Sequence, residues 1–184
     1  MNIQSWWHFR RVQFFLFVNK PDQAMAALKD VLSVEPSNVL AANSLGFQYG
    51  EKGEYDLAAA QFQSVLRINP DDANTQFNLG FICQKQARHD DAVALFESAV
   101  KNNATLDRAW FGLGMSQVAL HQREAAVTSF EHAAKLQPMN PHALYELGVQ
   151  YHALGQHEKV ADVIERLKQF DPKATAQLIV ATQT

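Results

Sequence analysis

The chain has 184 residues and a formal charge of −3, from 16 Lys and Arg against 19 Asp and Glu. So balanced a surface offers no field for gathering nucleic acid or an anionic membrane, and the single Cys83 excludes an intramolecular disulfide. An apolar share of 47% is ample for a packed core, and the prolines fall as spaced punctuation, unlike those of a disordered tract.

Residues 1–18, MNIQSWWHFRRVQFFLFV, gather Trp6, Trp7, Phe9, Phe14, Phe15 and Phe17 around the basic pair Arg10 and Arg11. The run 12–18 is far shorter than the roughly 20 apolar residues of a membrane span, and no small-residue cleavage signal follows it. A cytoplasmic protein is expected, or a periplasmic or membrane-associated one if a longer N-terminus precedes Met1. Membrane contact is not expected; the aromatics either fold back over the first hairpin or meet another protein or a second copy. Pro21 suits a first helical turn, Ala24, Leu28, Val31 and Leu32 recur at helical spacing, and Pro36 stops that helix.

Residues 39–72 read as two helices. Leu45, Gly46 and Tyr49 belong to the first, Ala58, Phe62, Val65, Leu66 and Ile68 to the second, and Gly50 and Gly53 flank the bend. Two such permissive residues predict that the first helix ends early. Residues 73–106 repeat the plan with Phe77, Leu79, Gly80, Phe81 and Cys83, then Ala92, Phe96 and Ala99. Here Ala87 takes the turn-glycine place and Ala104 the proline place, so the boundary is left to Asn102, Asn103, Thr105 and Asp107 as caps. Cys83, at a place held by Tyr49 and Tyr151 elsewhere, reads as a buried apolar thiol.

Residues 107–140 carry Trp110, Leu113, Gly114, Ala126, Phe130, Ala133 and Pro138, with His121 in the turn. Asn140 is the expected N-cap of the next helix and Pro141 its first residue. Residues 141–174 contain Leu144, Leu147, Gly148 and Tyr151, turn at Gly155, continue through Val160, Ile164 and Leu167, and are closed by Pro172. Residues 175–184 begin a capping helix with Leu178 and Ile179 inward and a polar outer face.

The units share a register. Gly46, Gly80, Gly114 and Gly148 stand 34 residues apart; twelve residues on come Ala58, Ala92, Ala126 and Val160, and sixteen on Phe62, Phe96, Phe130 and Ile164. Residues 5–38 keep the second half of this register and form a degenerate first copy. Several columns in phase specify a repeat array in which each copy buries its surface against its neighbours. Glycine inside a helix costs about 1 kcal/mol relative to alanine, so its recurrence marks a close helix crossing, expected opposite Ala58, Ala92 and Ala126.

This pattern, read as Trp110, Leu113-Gly114, Ala126, Phe130, Ala133 and Pro138, resembles the tetratricopeptide repeat family over residues 5–174. The resemblance implies an all-α fold, a right-handed superhelical solenoid of antiparallel helix pairs, here a single domain over 1–184. The first helix of each pair, helix A, would line a concave groove. Family groove positions fall on Asn43, Phe47, Asn74, Phe77, Phe81, Gln84, Arg108, Phe111, Met115, His142, Tyr145, Val149 and His152, with Asn78 placed to bond an extended peptide backbone. Such aromatics are favoured interface anchors, although Phe77, Phe81 and Phe111 could equally pack among neighbouring A helices. Only Asn78 and Arg108 match the clamp with which some members hold a terminal carboxylate, so a chaperone C-terminus is not the expected ligand.

No chemistry-bearing cluster accompanies the repeats. His121, His132, His142, His152 and His157 lack the paired spacing of a zinc site, Cys83 has no evident base, Glu146 with His142 reads as a surface or groove pair, and no phosphate loop occurs. The expectation is a non-enzymatic adaptor or scaffold without metal or cofactor, binding an apolar or amphipathic segment of another protein and no nucleic acid. The alternatives are a structural protein that forms homo-oligomers through its aromatic N-terminus and a secretion-type chaperone.

Overall fold

The structure is a computed structural model that describes residues 3–183; in the first helix the side chains of residues 3–6, 8, 9 and 16 lie outside the described residues. The expected aromatics Trp6 and Phe9 are among these. Every element described is an α-helix, and the helices form two compact units, residues 1–87 and 88–184.

The first unit contains α1 (Ile3–Phe17), α2 (Pro21–Val34), α3 (Val39–Glu51), α4 (Tyr55–Ile68) and α5 (Ala73–Lys85). Each packs chiefly on the next in sequence, and α5 also touches α3. The second unit contains α6 (His89–Asn102), α7 (Asp107–Ala119), α8 (Arg123–Leu136), α9 (Pro141–Ala153), α10 (His157–Lys168) and α11 (Pro172–Ala181). Packing is again sequential, except that α11 rests on both α9 and α10. The A helices of the clear repeats are α3, α5, α7 and α9. The division between units falls after α5, inside the stretch 73–106.

One turn geometry recurs at every A-to-B reversal. Asn19, Gly53, Ala87, His121 and Gly155, each 34 residues from the next, all have φ between 53° and 76°. The following amide reaches back across the turn, Glu54 N–H to the Tyr49 carbonyl at 2.9 Å, Gln122 N–H to Gln117 at 2.8 Å and Gln156 N–H to Tyr151 at 2.9 Å. This left-handed closure satisfies the last free carbonyls of the A helix. Gly50 does not shorten α3, which ends at Glu51 in phase with α5, α7 and α9. Its absent side chain instead leaves room for Ile82 of α5, whose terminal methyl would lie 3.2 Å from an added Cβ.

Gly46 and Gly114 face aromatic rings more closely than they face the expected Ala58 and Ala126. An added Cβ would come within 2.8 Å of the Phe62 ring at Gly46 and 2.6 Å of the Phe130 ring at Gly114. Gly112, which the repeat columns do not single out, gives the same relief to Phe96 at 2.7 Å. Phe62, Phe96 and Phe130 are all fully buried. A flat ring filling a glycine notch buries more apolar area than a methyl could, at about 25 cal/mol per Å². At the last glycine the repeat's own helix B supplies Ile164, and the atoms nearest a Cβ on Gly148 belong instead to Leu178 of α11, at 2.6 Å.

Helix starts follow the expected capping chemistry with two corrections. Asn38, Asp72, Asn140 and Asp171 each accept a first-turn backbone N–H, and Pro21 and Pro141 occupy first turns. None of Asn102, Asn103, Thr105 or Asp107 caps α7, whose N-cap is Leu106 without a side-chain bond. That boundary is held otherwise: Asn103 Oδ1 accepts from Thr105 N–H, and Trp110 Nε1–H donates to the Ala104 carbonyl at 2.9 Å. Gln76, one period earlier, makes the equivalent bond, its Nε2 donating to the Pro70 carbonyl at 2.7 Å. The second correction is Pro172, which opens α11 behind its cap Asp171, so the terminal helix starts there and not at 175.

Candidate groove on the A helices

In the first unit the expected groove residues divide sharply. Phe47 and Phe81, each directly after a seam glycine and one period apart, are 55% and 42% exposed. The Lys85 ammonium lies 5.1 Å from the centre of the Phe81 ring. Phe77, Asn78 and Gln84 are half-buried and Asn74 is exposed. Asn43 is half-buried, with its side-chain oxygen 2.9 Å from Thr75 Oγ1, whose single proton is shared between that oxygen and Asp72 Oδ2 at 2.8 Å. Asn43 therefore ties α3 to α5.

The second unit draws its candidates inward. Phe111, Met115, Tyr145 and Val149 are half-buried and packed on the core cluster around Phe130, Leu144 and Leu147. The Phe111 and Phe130 ring centres are 5.7 Å apart. Arg108 and His142 stay exposed, and His152 is half-buried with its ring 5.9 Å from that of His157. Packing among neighbours thus describes Phe111 and not Phe47 or Phe81.

Between α9 and α11 the second unit opens a groove of about 880 Å³ lined by His142, Tyr145, Glu146, Lys173, Gln177 and Val180 among others. It brings together His142 and Tyr145 with residues of α11 absent from the expected set. Reading residues 175–184 as a polar-faced cap hid them, although Val180 is 67% exposed. Burial pushes the Glu146 carboxyl above its ordinary range, an effect partly opposed by His142 one turn earlier.

Models of the tetratricopeptide repeat match residues 48–87, 73–105 and 111–175. The chain belongs to the tetratricopeptide repeat family. No curated protein matches the sequence. Among solved structures, this tetratricopeptide repeat protein is similar to MamA 41-end from Desulfovibrio magneticus RS-1, with a TM-score of 0.84 at 21% identity, covering 93% of this chain and 99% of that one. It is also similar to YrrB, described as a TPR protein with an unusual peptide-binding site, with a TM-score of 0.80 at 21% identity and coverage of 96% and 91%. For PilF of Pseudomonas aeruginosa the TM-score is 0.82 at 17% identity, with coverage of 98% and 83%. At these identities the likeness is one of fold.

Among the described residues no group of three or more His, Cys, Asp or Glu side chains is placed to hold a metal ion, and no helix is long and apolar enough to cross a membrane. Cys83 is buried. On α1, Val12 is buried, whereas Trp7, Phe14 and Phe17 are 62%, 59% and 89% exposed. These three do not fold back over the first hairpin of the tetratricopeptide array.

Proposed function

We propose that this protein is a non-enzymatic interaction module whose A-helix faces hold an apolar or amphipathic segment of another protein. The observation that carries the reading is the paired exposure of Phe47 and Phe81 at one repeat position of the first unit. The part of each ring that stays in water at these equivalent places is apolar area no neighbour covers, and an apolar side chain laid across it removes that area from solvent. The peptide-binding site described for YrrB, a relative in fold, agrees with this reading. Asn43, Phe47, Asn74, Phe77, Asn78, Phe81 and Gln84 in one unit, and Arg108, Phe111, Met115, His142, Tyr145, Val149 and His152 in the other, are the proposed contact residues, each set within its own unit.

The test is native copurification with mass spectrometry, followed by affinity measurements on peptides tiled through each recovered protein. Phe47→Ala/Phe81→Ala is expected to weaken the best peptide at least tenfold with an unchanged melting temperature. An unchanged affinity overturns the reading.

A second reading is self-association through α1, favoured by the exposure of Trp7, Phe14 and Phe17. Deleting α1 would uncover α2, since Val12 is buried, so the suitable variant is Phe14→Ser/Phe17→Ser. Light scattering across concentration should show a dimer or larger species that the variant abolishes; a monomer in both removes this reading.

A further inference from the structure

We propose that the groove between α9 and α11 takes a lysine or arginine side chain of the bound segment, with Glu146 as its counter-ion. The inference rests on the peptide-binding reading above and adds the chemistry of one anchor. Glu146 is half-buried in the groove wall, and among the described residues no lysine or arginine pairs with it. The charged groups facing it are few. His142 lies one turn back on the same helix, and Asp171 and Lys173 border the groove from the start of α11. Asp171 already accepts the Ala174 N–H at 2.8 Å, and Lys173 is exposed. Burial dominates the carboxyl's environment, and His142 alone offsets part of it.

A carboxylate drawn out of water without a counter-charge destabilises the fold that holds it. A ligand cation at that point repays the desolvation, and the groove is shaped for the rest of such a side chain. Tyr145 offers a ring, while Ala176, Val180 and Ala181 line α11's side. An aliphatic stem can lie along Val180 and the alanines while its charged head reaches Glu146 beside the tyrosine ring. An acidic anchor would meet Glu146 and Asp171, and an apolar one would bury the carboxylate further without pairing it.

The experiment selects random twelve-residue peptides by display on the full chain. It then measures the affinity of the enriched peptides for the wild type and for Glu146→Gln, which keeps the side chain's shape. The expected peptides share a lysine or arginine; replacing it with norleucine weakens binding tenfold or more, Glu146→Gln does the same, and the two losses are not additive. The unliganded Glu146→Gln protein should melt no lower than the wild type, which a structural role for the carboxylate would not allow. Enriched peptides that lack a basic residue, or that bind Glu146→Gln equally well, overturn the anchor while leaving the peptide-binding reading intact. If no peptide is enriched, both fall.

Discussion

The residue after each seam glycine behaves differently in the two units. Phe47 and Phe81 stand in solvent on α3 and α5, whereas Met115 and Val149, at the same repeat position on α7 and α9, are half-buried on the core. Four residues earlier the contrast does not recur: Phe77 in the first unit and Phe111 in the second are both half-buried, Phe111 against the Phe130 ring. The motif thus specifies the seam. What remains for a partner is whatever the local neighbours do not take up, and here the first unit leaves more aromatic surface over.

The sharpest way to break this comparison is to truncate one ring from each class. Phe130→Ala removes a fully buried ring lodged in the Gly114 notch and is expected to cost about 3–5 kcal/mol of unfolding free energy. Phe47→Ala should stay within about 0.5 kcal/mol, as surface substitutions do. Urea unfolding followed by circular dichroism measures both; equal losses would erase the distinction between seam and surface.

The seam was legible in the sequence because three successive repeats keep the same residue types in phase: glycine, alanine and phenylalanine there predict Phe62, Phe96 and Phe130 in the core, and all three are buried. The groove was less so. Whether Phe111 or Phe81 faces water depends on what packs beside it, and the period carries no information about that. The C-terminal end misled for a related reason. With Ile164 in the phenylalanine column, the Gly148 notch is filled from α11, a contact outside the repeat register.

That substitution sets the next expected effect. Leu178 is fully buried, so Leu178→Ala should cost toward the lower end of about 2–5 kcal/mol, because a short terminal helix can shift to close part of the cavity. Hydrogen exchange should place the loss in α9 and α11 and leave the first unit protected. A loss spread evenly over both units would contradict a local plug.

A smaller effect separates α9 from its first-unit counterpart α3 by pH. Tyr151 donates to Glu131 Oε1 at 2.5 Å, and burial first, then that carboxylate, raises its pKa well above the usual tyrosine value. As pH rises past about 10, tyrosine in the unfolded chain loses its proton first. The native state then binds more protons than the unfolded state, so stability falls with pH. Tyr151→Phe should lower stability at pH 7 by about 1 kcal/mol and flatten the decline above pH 10; an unchanged alkaline slope would show the hydroxyl to be unimportant.

The smallest expected effect is a gain, and each unit contains its own control for it. Ala87 and His121 hold φ near 60° in turns where Gly53 and Gly155 hold the same conformation. An added Cβ at Gly53 or Gly155 would meet nothing within 4 Å, so at these two turns the backbone conformation decides the effect without a packing clash. A left-handed residue bearing a Cβ costs about 1–2 kcal/mol, while glycine's extra freedom in the unfolded chain returns part of that difference. Ala87→Gly and His121→Gly should therefore each raise stability by about 0.5–1 kcal/mol, and Gly53→Ala and Gly155→Ala should lower it by a similar amount. Thermal melts of the four variants test the signs: if the two glycine-to-alanine changes prove neutral, the five reversals are held by packing and not by backbone preference, and the recurrence of positive φ at 34-residue intervals loses its energetic meaning.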